Sequence, residues 1–438
     1  MAKINPFKPN STVPPGMFVG RLPEIERIEQ CLLQTRSGNP ISFMILGERG
    51  IGKSSLLSYV KWLAKGEITL EELKPNFLVV DTDIEACTTQ LGLVRKIEIG
   101  LRRELTNVES VRQWWEQAWS FLQRLEVAGV KLRESADADV SETAAEEFSY
   151  VLADVCQRVC KREGSSPASE SGRDGLLIML DEADNGPESL QLGSFLKLLL
   201  ERLQRRGCDK VMIGLAGLPD LQRVLHASHP SSLRLFQEVT IDRLSNDEVN
   251  RVIDVCLEKA NRDNEEQTRI EESGRQLLVT ISEGYPHFIQ QFGFSAFSHD
   301  IDNVIDFKDV SHSAFEKNGA LKLIGDRYYR VDFYEKIKKE SYREVLRIMA
   351  ENLDQWVTKK DIKAKFHGRD VTLSSAIKAL RDRHIILSKE GERGLYRLQN
   401  RAFALWISFF STSPAALARK LALPSTSSKG TPTSRSAG

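Results

Sequence analysis

Between a short apolar run, Phe43–Leu46, and a segment with helical apolar spacing, Ser54–Leu63, the chain reads Gly47-Glu48-Arg49-Gly50-Ile51-Gly52-Lys53-Ser54-Ser55. The run predicts a buried strand, and Leu56, Leu57, Val60 and Leu63 predict a helix packed on one face. Gly47-x-x-x-x-Gly52-Lys53-Ser54 between them satisfies the phosphate-loop pattern. The three glycines let the backbone curl until successive N–H groups point inward, and the following helix adds its positive end. Residues 47–55 are therefore the expected binding stretch for ATP or ADP. Lys53 would reach the β- and γ-phosphates. The Ser54 hydroxyl would ligate Mg²⁺, a hard cation that prefers oxygen. Ser55 stands one residue past the pattern.

A second strand candidate, Leu176–Leu180, runs into Asp181-Glu182-Ala183-Asp184. A buried parallel strand has no reason to end in two acids unless a cation sits there. Asp181 is the expected Mg²⁺ partner, through water, and Glu182 the expected residue that polarises an attacking water. Asp184 is expected to cap a helix over about 189–206. Phe77–Asp81 and Lys210–Ala216 predict two more buried strands. The expected fold class is thus α/β, a parallel sheet flanked by helices with its ligand at the carboxyl ends of the strands.

With 438 residues, the chain is long for one core and is expected to form two or three domains. Lys+Arg and Asp+Glu both number 61, so any nucleic-acid surface must be local. The six cysteines are scattered without a CxxC pair, which predicts reduced core thiols. Cys156 and Cys160 lie one helical turn apart, with no nearby ligands to complete a metal site. No run of about 18 apolar residues and no signal-like start occur, so a soluble, cytoplasmic protein without a membrane partner is expected.

Composition suggests an extended arm over 1–16, a nucleotide-binding core over 17–243 and a helical lid over 244–339. A Ser245–Glu248 capping box would open the lid. Trp114, Trp115 and Trp119 are expected to be packing residues, and 163–175 a surface loop. Over 340–411, three helices (one capped by Thr358) and a glycine-bearing hairpin predict a winged helix-turn-helix. This unit holds 14 Lys+Arg against 9 Asp+Glu, a charge of about +5. Lys378, Arg381, Lys389, Arg393 and Arg397 are candidate contacts to double-stranded DNA, although such a unit can equally serve packing or regulation. Residues 412–438, rich in Ser, Thr, Pro and Lys, read as a disordered tail.

Taken together, residues 17–410 resemble AAA+ and STAND P-loop ATPases, in particular those with an origin-initiator-like core and a C-terminal winged helix. Met17-Phe18-Val19-Gly20-Arg21 resembles their hhVGR box, which implies that Phe18, Val19, Gly20 and Arg21 lie over the adenine. Ser231–Ile241 resembles the region presenting an arginine finger, which implies Arg234 as a finger, in trans if given to a neighbour. Gly284-Tyr285-Pro286 resembles the lid G-x-P signature, which implies that Pro286 closes on the nucleotide. The chain departs from the pattern in two places. No Asn or Thr ends the strand at Gly217, with Asp220 there expected to cap the next helix. His287 and Gln290 stand where many lids carry an arginine. The resemblance implies a slow, switch-like Mg-dependent ATPase associated with DNA, acting as a homo-oligomer or with a partner protein. The alternative is a STAND-type signalling ATPase that oligomerises on ATP without touching DNA.

Overall fold

The computed structural model describes residues 3–69, 74–105, 139–160, 172–353, 355–383, 385–389, 391–392 and 394–410. These form two compact units, one of residues 8–256 with 284–287, the other of 3–7, 257–283 and 288–410. The three tryptophans at 114, 115 and 119, most of the 163–175 loop, Arg393 and the 412–438 tail lie outside the described residues.

The first unit is built on a five-stranded parallel sheet. In chain order its strands are β1 (Ser42–Leu46), β2 (Phe77–Asp83), β3 (Gly175–Asp181), β4 (Val211–Gly217) and β5 (Phe236–Thr240). Across the sheet the order is β2-β3-β4-β1-β5. Every residue of β1 and β4 is buried, as expected of strands covered on both faces. The helices are α1 (Leu22–Arg36), α2 (Lys53–Ala64), α3 (Gln90–Leu105), α4 (Asp139–Cys160), α5 (Leu192–Arg205) and α6 (Leu221–Ser228), followed by α7 (Asn246–Asp263), which begins in this unit. The amphipathic helices bury apolar stripes in this core; for α1 the stripe is Ile25, Ile28, Cys31 and Leu32. Leu78, Ile178, Leu180, Ile213, Phe148 and Phe195 meet in the main core cluster. The topology interposes β4 between the strand that leads into the phosphate loop and the strand that ends in Asp181.

All six thiols are free. Cys31, Cys156, Cys208 and Cys256 are core residues as expected, whereas Cys87 is exposed and Cys160 only partly covered. Cys87 follows the carboxyl end of β2, where the chain has already left the sheet.

In the second unit, α8 (Glu272–Ser282), α9 (Pro286–His299, from residue 288), α10 (Phe307–Phe315) and α11 (Ala320–Tyr328) form a helical layer. Two short strands, β6 (Arg269–Ile270) and β7 (Val304–Ile305), pair in parallel beside it. The N-terminal arm does not hang free here. Phe7 is 3% exposed and packs against Phe297 and Gly293, and Asn5 donates to Phe294 O and Ser298 Oγ.

The C-terminal part has α12 (Glu340–Ala350), α13 (Lys359–Lys365) and α14 (Asp370–Asp382), with an antiparallel sheet ordered β8-β10-β9 from β8 (Val357–Thr358), β9 (Ile386–Ser388) and β10 (Leu395–Leu398). Thr358 caps α13 as expected, and Asp361 returns the bond to complete a capping box that the sequence reading did not name. Sequence reading found the three helices and the β9–β10 hairpin but missed β8 and a closing helix, α15 (Arg401–Phe410). The signal for α15 was present in Phe403, Trp406, Ile407 and Phe410, at i, i+3, i+4 and i+7. Its Trp406 ring lies 5.6 Å edge-on from Phe333 and stacks 6.4 Å from Phe403, while Tyr329 lies tilted 4.7 Å from Phe403. The Tyr329 hydroxyl donates to Asn400 Oδ1, which also accepts from Phe403 N at 2.8 Å and so starts the helix.

This cluster makes α15 a structural keystone. Trp406→Ala should lower stability by about 3–5 kcal/mol, the usual cost of emptying a large aromatic site. Denaturant unfolding followed by far-UV circular dichroism measures it. A shift under 0.5 kcal/mol would show that the cluster contributes little.

Candidate functional site: the phosphate loop and its acidic strand

The loop after β1 turns through Gly50 and Gly52, whose φ values of +77° and +102° lie where L-residues are strained. The curl brings the carbonyls of Gly47 and Glu48 to the Lys53 ammonium, which donates to both at 2.9 Å. Burial lowers the pKa of Lys53 below the usual lysine range. Asp184 is the strongest charge acting against that shift, ahead of Asp181. The loop is also held from outside. Arg21, buried and left-handed at φ +66°, donates from Nη2 to Ile51 O at 3.2 Å. Burial reduces the basicity of its guanidinium, and Glu24, Glu248 and Asp242 offset the loss. The structure thus places Arg21 as a brace of the loop.

Asp181 ends β3 within reach of the first turn of α2. Its Oδ2 accepts from the Ser54 hydroxyl at 2.7 Å, and its Oδ1 accepts from Glu182 N at 2.8 Å. Two oxygens of the kind a hard cation selects are therefore side by side, and the pair fits Mg²⁺ by donor chemistry. Glu182 is exposed in a left-handed turn, φ +52°, and its carboxylate accepts from Asn185 Nδ2 at 3.0 Å. Asn185 was not foreseen, since an i+3 contact across this turn depends on the backbone reversing at Glu182. On the outer side β2 places Asp83 opposite Asp181. A cleft of about 450 Å³ opens there, lined by Thr12, Ser54, Ser58, Lys61, Asp81 and Asp181 among others. Lys61 and Arg103 both pair with Asp81, at 2.6 and 3.3 Å.

Two expected caps are corrected. Asp184 does not cap the following helix, which begins at Leu192 after Gln191. Its Oδ1 instead accepts from Leu218 N at 2.9 Å, just past the tip of β4. At that tip Gly217 has no room for a side chain, because an added Cβ would come 2.7 Å from Asp184 Oδ1. The space beside the tip of β4 is thus taken by Asp184 from the turn after β3, a contact invisible until β3 and β4 are known to be adjacent. Asp220 makes no capping bond to α6; it pairs with Arg223 through two contacts of 2.8 Å. The Ser245–Glu248 box at the start of α7 is present as expected.

Around this centre Phe18, Val19 and Gly20 are half-buried, and the Phe18 ring lies 4.9 Å from Tyr59 of α2. Pro286 lies against Gly52. Glu48, Arg49 and Ser54 are exposed, Ile51 is buried, and Ser55 sits in the first turn of α2. Arg234 lies in a short 3-10 turn, Pro230–Leu235, exposed and without a side-chain partner among the described residues. Among the described residues no side-chain hydrogen bond or ion pair joins it to the phosphate loop. Of the candidate DNA contacts, Lys378 is exposed on α14 and free among the described residues. Arg381 pairs with Asp382 at 3.4 Å, Lys389 pairs with Glu392, and Arg397 lies over the Trp356 ring at 4.9 Å.

The Asp184 contact has a direct consequence. Asp184→Ala leaves the Leu218 N–H without its acceptor and should cost about 1–2 kcal/mol, whereas Asp184→Asn keeps an oxygen there and should cost less. Thermal unfolding of the two variants compares them, and equal losses would remove the bond from the account.

An AAA ATPase domain model matches residues 17–213. No curated protein matches the sequence. Among solved structures, the ORC2 protein of Aeropyrum pernix in its ADPNP–ADP complexes is 14% identical, with 94% of this chain and 98% of that chain covered at a TM-score of 0.50. The ORC1 protein of the same organism in complex with DNA is 16% identical over 89% and 92%, TM-score 0.40. Cdc6p of Pyrobaculum aerophilum is 14% identical over 95% and 97%, TM-score 0.39. At such identities the likeness concerns the fold, and of these three it is the ORC2 comparison that carries it. No helix among the described residues is long and apolar enough to cross a membrane. Motif order, sheet topology and family match converge: the chain carries an AAA ATPase domain over residues 17–213.

Proposed function

We propose that the chain is an ATP-binding, ATP-hydrolysing molecular switch that acts on DNA through its C-terminal winged helix. The observation that carries the nucleotide reading is the meeting of Ser54 and Asp181 at 2.7 Å beside the phosphate loop. Loop amides and Lys53 would bind the phosphates of ATP or ADP. Ser54 and Asp181 would hold Mg²⁺, which when bound supplies charge neutralisation between the phosphates. Glu182, kept in place by Asn185, would take the proton of the attacking water. Arg234, exposed and without a side-chain partner among the described residues, is available to a second copy of the chain, where a guanidinium would stabilise the charge developing on the transferred group. Residues 244–339 would act as the lid that responds to the nucleotide.

For DNA, the exposed face of α14 offers Val371, Ser374, Ser375 and Lys378, a helix surface of the kind that enters a major groove. One observation favours a second reading, the signalling ATPase that oligomerises without DNA. Arg381, Lys389 and Arg397 are all engaged within the unit, which leaves less free positive charge than the sequence suggested.

Lys53→Ala should weaken ATP binding roughly 10–100-fold, since charge-assisted hydrogen bonds contribute about 1.5–3 kcal/mol each. Glu182→Gln should retain ATP while slowing turnover by roughly 10²–10⁴. Calorimetric titration and phosphate release measure the two. Unchanged affinity in the first variant, or unchanged turnover in the second, removes that residue from its role.

Binding isotherms of the whole protein with duplex DNA at several salt concentrations separate the two readings. Phosphate contacts predict a steep salt dependence, and Lys378→Ala should reduce the log–log slope by about one. Absence of DNA binding, with hydrolysis per protomer that rises with protein concentration and flattens in Arg234→Ala, supports the signalling reading.

A further inference from the structure

The phosphate loop of this chain contains a glutamate, Glu48, whose carbonyl already touches the Lys53 ammonium at 2.9 Å. A carboxylate on the same residue carries the charge that would make it a rival to the phosphates for that cation. In the structure it is turned elsewhere. The Tyr285 hydroxyl donates to Glu48 Oε2, and Tyr285 itself is 1% exposed. The guanidinium of Arg243 lies 4.7 Å from the centre of the tyrosine ring, a cation–π distance.

The backbone around Tyr285 is fixed on both sides. Leu244 N donates to Gly284 O at 2.9 Å, and His287 N donates to Gly50 O of the loop at 3.2 Å. Pro286 fills the space against Gly52. Four consecutive residues, 284–287, thus belong to the nucleotide-binding unit although the residues flanking them belong to the other one. Packing explains Pro286 and the backbone bonds. It does not explain why a fully buried ring directs its one polar atom at the loop's carboxylate.

We propose that Tyr285 is a positioning residue of the phosphate loop: its hydroxyl restrains the Glu48 carboxylate, so that Lys53 stays available to the phosphates of a nucleoside di- or triphosphate. This rests on nucleotide binding at the loop, as argued above. Tyr285→Phe keeps the ring under Arg243 and removes the restraint. The freed carboxylate is then drawn to Lys53, and nucleotide must displace it.

The test is a two-background comparison in the full-length protein, with Mg·ATP and Mg·ADP as probes and affinity read by calorimetry. In the wild-type background Tyr285→Phe should weaken both nucleotides about 10-fold or more, in line with one hydrogen bond to a charged group. In a Glu48→Gln background, whatever affinity that protein has alone, the same change should cost less than about 2-fold, because a neutral amide does not compete for an ammonium. Equal losses in the two backgrounds would show that the tyrosine only packs, and no loss in the wild type would show that it does nothing; either overturns the proposal. Lys53→Ala in parallel keeps the two ideas apart. If Lys53→Ala binds nucleotide as well as wild type, the phosphate-loop reading falls and takes this one with it. If Lys53 matters and the two losses are equal, the Tyr285 proposal falls alone.

Discussion

The Lys53 ammonium is drawn out of water by its place at the start of α2, and a buried cation must be compensated or lose its proton. Compensation comes from two directions. The carbonyls of Gly47 and Glu48 reach it because the loop curls back through left-handed Gly50 and Gly52. The carboxylates of Asp184 and Asp181 face it because β3 ends at the same level as the loop. Remove the curl or move the strand, and the lysine would be a liability to the fold before it could be of use to a ligand. The brace from Arg21 to Ile51 O and the backbone contact from His287 to Gly50 O belong to the same constraint.

Strand order then decides which side chains share the site. With β4 between β1 and β3, the loop lies two strands from Asp181, and Ser54 crosses the gap from the first turn of α2. The tip of β4 sits in the middle, close enough to Asp184 that a side chain at Gly217 would collide with it. A carboxylate from the turn after β3 therefore occupies the place where a polar residue of β4 was sought. The same turn holds Glu182 in a left-handed conformation and gives it Asn185 as a partner. Strain of this kind is kept only where surrounding contacts determine it, and here it falls on the candidate base.

The second unit depends on a different economy. Its helical layer is short-range and amphipathic, but its C-terminal part is closed by an aromatic cluster that joins residues 329 and 333 to residues 403 and 406. On its surface Arg381 and Lys389 each sit beside an acid, so the positive charge is interleaved with negative charge and does not form one unbroken basic face.

By itself the sequence determined the elements that local physics governs. Glycine spacing, the apolar runs of β1 and β3 and the helical stripe of α2 each depend on residues within a dozen positions. The phosphate loop, the acidic strand end, the parallel sheet, the Ser245–Glu248 box and the Thr358 cap were legible for that reason. The capping of α13 by Thr358 and the pairing of Ser245 with Glu248 need only three residues of separation. The tertiary structure alone decided what lies between strands distant in sequence. Asp184 meeting Leu218, Tyr285 meeting Glu48 and Trp406 meeting Phe333 are contacts across 34, 237 and 73 positions. No periodicity records such a pairing, because a carboxylate has the same local signature whether it caps a helix or crosses to another strand. Only the packing of strand beside strand fixed which of these it does.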